Sequence, residues 1–185
     1  DRDGRSGGRL RPREQRLTGG VATPAGLAAL LAALAEPRRR QALTHSSWSR
    51  RREASYERLE FLGDSALEVI VREELMRRHP DAHEGDLSWM RQGVVNREAC
   101  AAAARAAGLP EAMVAGAPPG ERRHAAELAE RAGVQAGLAE AVIGAAWLDL
   151  GPERTRAAVL EAFAGPLAAA RPGSPGARAH RSRWR

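Results

Sequence analysis

The 185-residue sequence contains no lysine, so all 29 of its basic side chains are arginine. A single cysteine, Cys100, excludes an intramolecular disulfide framework and a zinc site built from several cysteines. It fits a reducing compartment, and a cytoplasmic location is expected. Long apolar runs are missing as well. The longest, Gly26 to Ala35, is too short to span a bilayer, so no membrane is expected as a partner. No charged-then-apolar leader is read, although the chain opens at Asp1 and not at Met, which leaves sequence upstream of it open. No segment alternates with a strand period over a useful length, and there is no internal repeat. What remains is ordinary for a soluble globular chain: 43% hydrophobic and 28% charged residues, with a length that suits one domain plus tails.

The formal charge of +6 points weakly to an anionic partner such as nucleic acid. Its distribution says more. Residues 1–35 hold six Arg against three acids, residues 36–170 hold 18 Arg against 20 acids, and residues 171–185 hold five Arg and no acid. The basic excess therefore lies at the ends, around a centre that is slightly acidic. Residues 1–20, rich in Gly and Arg without an apolar period, are expected to form a disordered arm, and residues 171–185 a disordered basic tail. Solvated tails and RNA-contacting tails are both open for these ends. The folded domain is expected over residues 21–170.

Within it the periodicity is helical throughout. Thr23-Pro24 reads as an N-cap and first helical position opening a helix to about Ala35, stopped by Pro37. A short helix is expected over Arg38–His45 and a polar connection over Ser46–Ala54. From Ser55 to Arg78, Leu59, Leu62, Ala66, Val69 and Ile70 recur at three- and four-residue steps, ending at His79-Pro80. A loop over Asp81–Asp86, a helix over Leu87–Ala107 with Gly108 as its C-cap glycine, and a loop over Val114–Glu121 follow. The last helices are expected over His124–Leu150, with an interruption at Gly133, and over Glu153–Ala170, kinked at Gly165-Pro166. The fold class is all-α.

One stretch carries chemistry: Tyr56-Glu57-Arg58-Leu59-Glu60-Phe61-Leu62-Gly63-Asp64-Ser65. Glu57, Glu60 and Asp64 stand at i, i+3 and i+7, so their carboxylates share one helix face. Like charges at such steps destabilise an isolated helix by about 0.2–0.5 kcal/mol per pair. A divalent cation would offset that repulsion, and Mg²⁺ takes one or two carboxylates while keeping several waters. A solvated acidic face, with Arg58 and Arg72 as partners, is the alternative.

Glu57-Arg-Leu-Glu-Phe-Leu-Gly-Asp-Ser65 closely resembles the signature of the ribonuclease III family. Ala42-Leu-Thr-His-Ser-Ser47 resembles the segment before it. Glu84-Gly-Asp-Leu-Ser88, with Arg91, Val95 and Asn96, resembles the next block, and Glu140-Ala-Val-Ile-Gly-Ala145 with Trp147-Leu-Asp149 the last catalytic helix. The ordered set covers roughly residues 38–167. The resemblance implies an all-helical, homodimeric nuclease domain that hydrolyses phosphodiester bonds of double-stranded or hairpin RNA with Mg²⁺, for which Mn²⁺ can substitute. It implies Glu60, Asp64 and Glu140 as metal ligands, with Asp64 and Glu140 also counted among the catalytic acids. Glu57 and Glu84 match acids that line the cleft and assist substrate or metal. Phe61 matches the aromatic knob of the subunit interface; plain core is its alternative, and either role buries it. His45 is expected to be a hydrogen-bonded structural histidine, and Ser65 and Asn96 to cap or pack locally.

The chain departs from the family pattern at one acid. The last helix of the family supplies two acids three residues apart, and the first falls at Gly137, which has no side-chain oxygen. Positions 137 and 140 share a helix face, so the missing acid would have pointed at the same ion. The stretch Ala132-Gly133-Val134-Gln135 is altered too. Three outcomes are open: water in the vacant position and a slower enzyme, substitution by Glu127 or Glu130 after a shift of register, or a catalytically degenerate RNA-binding or scaffold protein. About fifteen residues follow the last expected helix, too few for the double-stranded-RNA-binding domain that many members carry. If the sequence is complete, RNA contact is expected from the cleft, the dimer and the arginine-rich ends, weakening with salt and largely indifferent to base sequence.

Overall fold

A computed structural model describes residues 26–173; Thr23-Pro24, the arm at 1–20 and all but the start of the basic tail lie outside the described residues. The described residues form ten α-helices and three short 3-10 turns, with no strand among them, as the periodicity predicts. In chain order the helices are α1 (Gly26–Ala33), α2 (Glu36–Ala42), α3 (Glu57–Arg78), α4 (Glu84–Val94), α5 (Arg97–Ala106), α6 (Leu109–Gly116), α7 (Arg122–Ala129), α8 (Ala132–Asp149), α9 (Pro152–Ala162) and α10 (Ala164–Ala169).

The sequence locates the helical segments well and their joints less well, because local capping decides the joints. Pro37 does not stop α1; it sits in the first turn of α2, where its missing N–H costs nothing. The expected helix over 87–107 is two helices. Asn96 divides them, its side-chain oxygen accepting the Ala99 N–H at 3.0 Å while its amide donates to the carbonyls of Gln92 and Gly93. The loop expected from Asp81 ends earlier, at His83, so Glu84 opens α4. Helix α6 runs into the loop expected from Val114. The break before α8 falls at Glu130-Arg131 and not at Gly133, which belongs to the first turn of α8. There Gln135 is buried and ties the joint, donating to the Ala129 carbonyl at 2.7 Å and accepting from Arg105 at 2.6 Å. Buried Phe163, rather than Gly165, separates α9 from α10.

Helix α8 is the axis of the molecule. Every residue from Gln135 to Ala146 except Glu140 is buried, the pattern of a helix surrounded by others. Helices α1, α3, α5 and α9 pack against it. The closest approach is to α3, at two glycines. A Cβ placed on Gly63 would run into the carbonyl oxygen of Glu140 and lie 2.6 Å from its carbon and 2.8 Å from the Gly144 nitrogen. One placed on Gly144 would meet the backbone of Leu59 and Gly63. Below this crossing Leu67, Ile70, Leu75, Leu138 and Ile143 fill the core, and truncating one to Ala should cost about 2–5 kcal/mol.

Val69 breaks the expected apolar stripe of α3: it is 47% exposed, and Leu67 and Val71 face inward instead. With Phe61 (80% exposed) and Met76 (60% exposed) it leaves apolar side chains on the outer face of α3. The exposure of Phe61 overturns the plain-core alternative.

Candidate metal centre

The glycine crossing places the acids. Glu60 and Asp64 flank Gly63 on α3, and Glu140 lies one turn before Gly144 on α8. All three line a cleft of about 360 Å³ together with Asn96, Arg97 and Cys100. Gly137 lies in the same wall.

The electrostatics are those of an uncompensated cluster. Burial, followed by the charges of Asp64 and Glu60, pushes the Glu140 carboxyl up to about 7. Burial also raises Glu60 above the usual carboxylate range, with Glu57 and Asp64 adding to it. Cys100 lies beside Glu140; its thiol is pushed up to about 12 by burial first and by the Glu140 charge next, so it stays a neutral thiol. Among the described residues no ion pair reaches Glu60, Asp64 or Glu140. Arg72, named above as a partner for a solvated acidic face, instead pairs with Glu68 at 2.9 Å, and Glu68 also binds Arg91 of α4 at 3.0 Å.

Two of the five acids stand apart. Glu57, at the N-terminus of α3, is held by Arg52 at 3.1 Å, a contact that lowers its carboxyl. It borders a different hollow, with Phe61 and Leu148. Glu84 accepts a hydrogen bond from the Ser88 hydroxyl at 2.7 Å and lines a small groove with Arg72, Met76 and Arg91. The expectation that both line the acid cleft is not met within the single chain. Nor do Glu127 and Glu130 replace an acid at 137: Glu127 faces Arg123 at 3.4 Å, and Glu130 lines a groove between α6 and α7. Asn96 caps as expected, and His45 accepts the Ser47 N–H through Nδ1 at 3.1 Å, a structural role. Ser65 is exposed in mid-helix and neither caps nor packs.

A divalent cation fits the cleft by its donors: hard carboxylate oxygens that share one cleft and are ion-paired to no arginine among the described residues. Among the described residues no three His, Cys, Asp or Glu side chains are gathered closely enough to hold a metal ion by themselves. Mg²⁺, which takes one or two carboxylates and keeps several waters, does not require three protein ligands to converge.

A family model described as Ribonuclease-III-like matches residues 38–167. The chain belongs to the ribonuclease III-like family. Curated relatives named Ribonuclease 3 include one from Bartonella bacilliformis, 41% identical over 117 residues, covering 63% of this chain and 48% of that protein. Another, from Alcanivorax borkumensis, is 43% identical over 133 residues, covering 72% of this chain and 56% of that protein. The chain thus spans about half the length of the curated relatives it matches. A solved nuclease domain of ribonuclease III from Campylobacter jejuni superimposes with a TM-score of 0.64 and 29% identity, over 74% of this chain and 93% of that one. Its description places structural flexibility in a region involved in dimer formation. Among the described residues no helix is long and apolar enough to cross a membrane.

Sequence reasoning missed three cleft residues. Glu68, four residues after Asp64, continues the acidic stripe, and that spacing was enough to find it. Arg97 and Cys100 come from α5, and nothing in the alanine-rich run around Cys100 signals that it faces an acid.

Proposed function

We propose that the chain is an Mg²⁺-dependent endoribonuclease acting on double-stranded or hairpin RNA as a homodimer in the cytoplasm. The observation that carries this reading is the uncompensated carboxylate cluster of Glu60, Asp64 and Glu140 at the α3–α8 crossing of a ribonuclease III-like domain. Glu60, Asp64 and Glu140 would hold the cation, directly or through its bound waters. When bound, it supplies Lewis acidity to the phosphoryl group and to the attacking water. The chain's own groups set the rest. Arg97, in the same cleft, offers a guanidinium to a backbone phosphate, and the backbone contact of α3 with α8 fixes the spacing of the acids. The apolar outer face of α3, led by Phe61, supplies the dimer contact, and burying these exposed side chains is the driving force. Glu57 and Glu84 assist from the margin of the assembled dimer.

Gly137 favours a second reading, a degenerate domain that binds RNA without cutting it, and sets activity below that of a site with four acids. Incubation of purified dimer with long duplex RNA in Mg²⁺ and in Mn²⁺ separates the two. Cleavage that stops on chelation supports the enzyme. No cleavage in either metal, with duplex binding indifferent to Glu140→Ala and to chelation, establishes the binding protein.

A further inference from the structure

One hollow of the domain shares no lining residue with the acid cleft. It measures about 680 Å³, within the range of about 300–1,000 Å³ usual for small-ligand sites, and is lined chiefly by α2 and by the segment from Trp48 to Ala54. Its wall carries Arg40, Arg50 and Arg51 against one acid, Glu53. The backbone gives this segment a set shape. Two 3-10 turns, Ser46–Trp48 and Arg52–Ala54, are joined through extended residues at Ser49 and Arg51, and the Ser49 hydroxyl donates to the Arg51 carbonyl at 2.6 Å. Trp48 is half-buried and packs against the core. Its ring lies 5.4 Å from that of His45 and 6.4 Å from that of His124, and neither histidine borders the hollow. The indole is held in place without a ligand.

The polar groups of the wall divide into spent and free. The Thr44 hydroxyl donates to the Arg40 carbonyl, and the Gln41 amide donates to the carbonyls of Glu53 and Ser55. Arg51 meets Glu53 only at 3.6 Å with both side chains largely exposed, a contact worth little in water. Arg40 holds Glu36 through one nitrogen, and Arg50 has no ion pair among the described residues. Guanidinium groups and an indole ring are left for a ligand: the first suit phosphate, the second the face of a base. A duplex keeps its base faces stacked inside, whereas an unpaired nucleotide offers base and phosphate together. On the RNA-binding reading above, we infer that this hollow seats a short unpaired segment of RNA, with a base on Trp48 and the adjoining phosphates on Arg50, Arg51 and Arg40. The amide and hydroxyls being spent on backbone carbonyls, the segment is taken with little sequence preference.

The test is binding of an oligouridylate of about ten nucleotides, within the usual span of a single-strand site, to the full chain in chelator, followed by fluorescence anisotropy. Trp48→Leu should weaken binding about tenfold, the scale of one lost base stack. Arg50→Glu should weaken it too, and should flatten the fall of log affinity with log salt by about 0.7 or more, the share of one phosphate contact. Arg154→Glu, the same change at an exposed position of α9 outside the hollow, should move both far less. Equal losses in Arg50→Glu and Arg154→Glu, or unchanged affinity in Trp48→Leu, overturn the inference, since the contact then belongs to the overall charge or to the arginine-rich ends. Polyglutamate or polyphosphate of matched charge competing as well as the oligonucleotide also overturns it, because the hollow is then a general anion patch. Should Trp48→Leu not fold, Arg50→Glu decides, because its side chain is exposed. Duplex RNA measured alongside separates the two readings. Duplex bound without oligouridylate overturns this inference alone; oligouridylate bound, with duplex neither bound nor cleaved in Mg²⁺, overturns the function proposed above instead.

Discussion

Substituting Gly63 by alanine puts the packing argument at risk most directly. Two effects oppose each other. Replacing glycine by alanine inside a helix stabilises it by about 1 kcal/mol. Against that, the new methyl would stand 2.6 Å from the Glu140 carbonyl carbon and 2.8 Å from the Gly144 nitrogen. Carbon atoms in contact prefer about 3.5–4.0 Å, so the helices must separate by about 1 Å. The obstructing atoms are backbone in the most buried helix, so no rotamer change relieves them. Overpacking of this kind costs typically about 1–3 kcal/mol and occasionally more, and here the helices that separate also carry the contacts of Leu67, Ile70 and Ile143. The clash should win, leaving Gly63→Ala less stable by about 2 kcal/mol. Thermal unfolding should then fall by about 4–8 °C for a domain of this size. Urea unfolding followed by circular dichroism, and a thermal scan, measure both quantities. Gly93→Ala is the control: it lies in α4, a Cβ there meets nothing within 4 Å, and it should be neutral or stabilising. A Gly63→Ala protein as stable as the parent would refute the claim that backbone contact sets the α3–α8 spacing.

Glu140→Gln should abolish Mn²⁺ binding and RNA cleavage yet raise the metal-free unfolding midpoint, because it removes a half-buried charge facing Asp64 and Glu60; a lower midpoint would contradict the uncompensated cluster. Phe61→Arg should shift the protein to a monomer in sedimentation velocity without lowering its unfolding midpoint, since the side chain is exposed in the single chain; an unchanged dimer would move the interface elsewhere. Glu74 is buried on α3, and the guanidinium of Arg77, with that of Arg78, holds its carboxyl down to about 2. A carboxyl lowered on folding stabilises above its unfolded value of 4.5 and loses that contribution as pH falls from there towards 2. Arg77 is largely exposed, so water screens the pair and about 1–2 kcal/mol is expected. Glu74→Gln should flatten the stability profile between pH 4.5 and 2, which urea titrations at several pH values would show.

The signature helix and its acids were legible because three- and four-residue steps report a helix face directly, and the ordered motifs gave the rest of the fold. Joints were less legible: whether Asn96 interrupts a helix depends on its side chain reaching Ala99, which periodicity does not encode. The face shared by Glu57, Glu60 and Asp64 was also correct as a face. Spacing along one helix does not say where the second helix crosses, however, and the crossing at Gly63 leaves Glu57 a turn outside, beside Arg52. Glu84 went astray for a related reason, since a loop expected through Asp86 left its direction free. Glycine at 137 was read as a missing oxygen. The structure sets the Glu60 carboxyl beside it.

The contact between Gly63 and Gly144 also bears on how this protein could be engineered. In most sites the separation of catalytic groups is inherited from the bulk of side chains packed behind them, so repacking for stability disturbs activity. Here the gauge between the two walls is main chain against main chain, a hard stop to closer approach that trimming the side chains below does not move. Volume-conserving exchanges between leucine and isoleucine at positions 67, 70 and 143 could be made while the acids keep their distance, which makes the packing of the rear and the cation geometry separately adjustable.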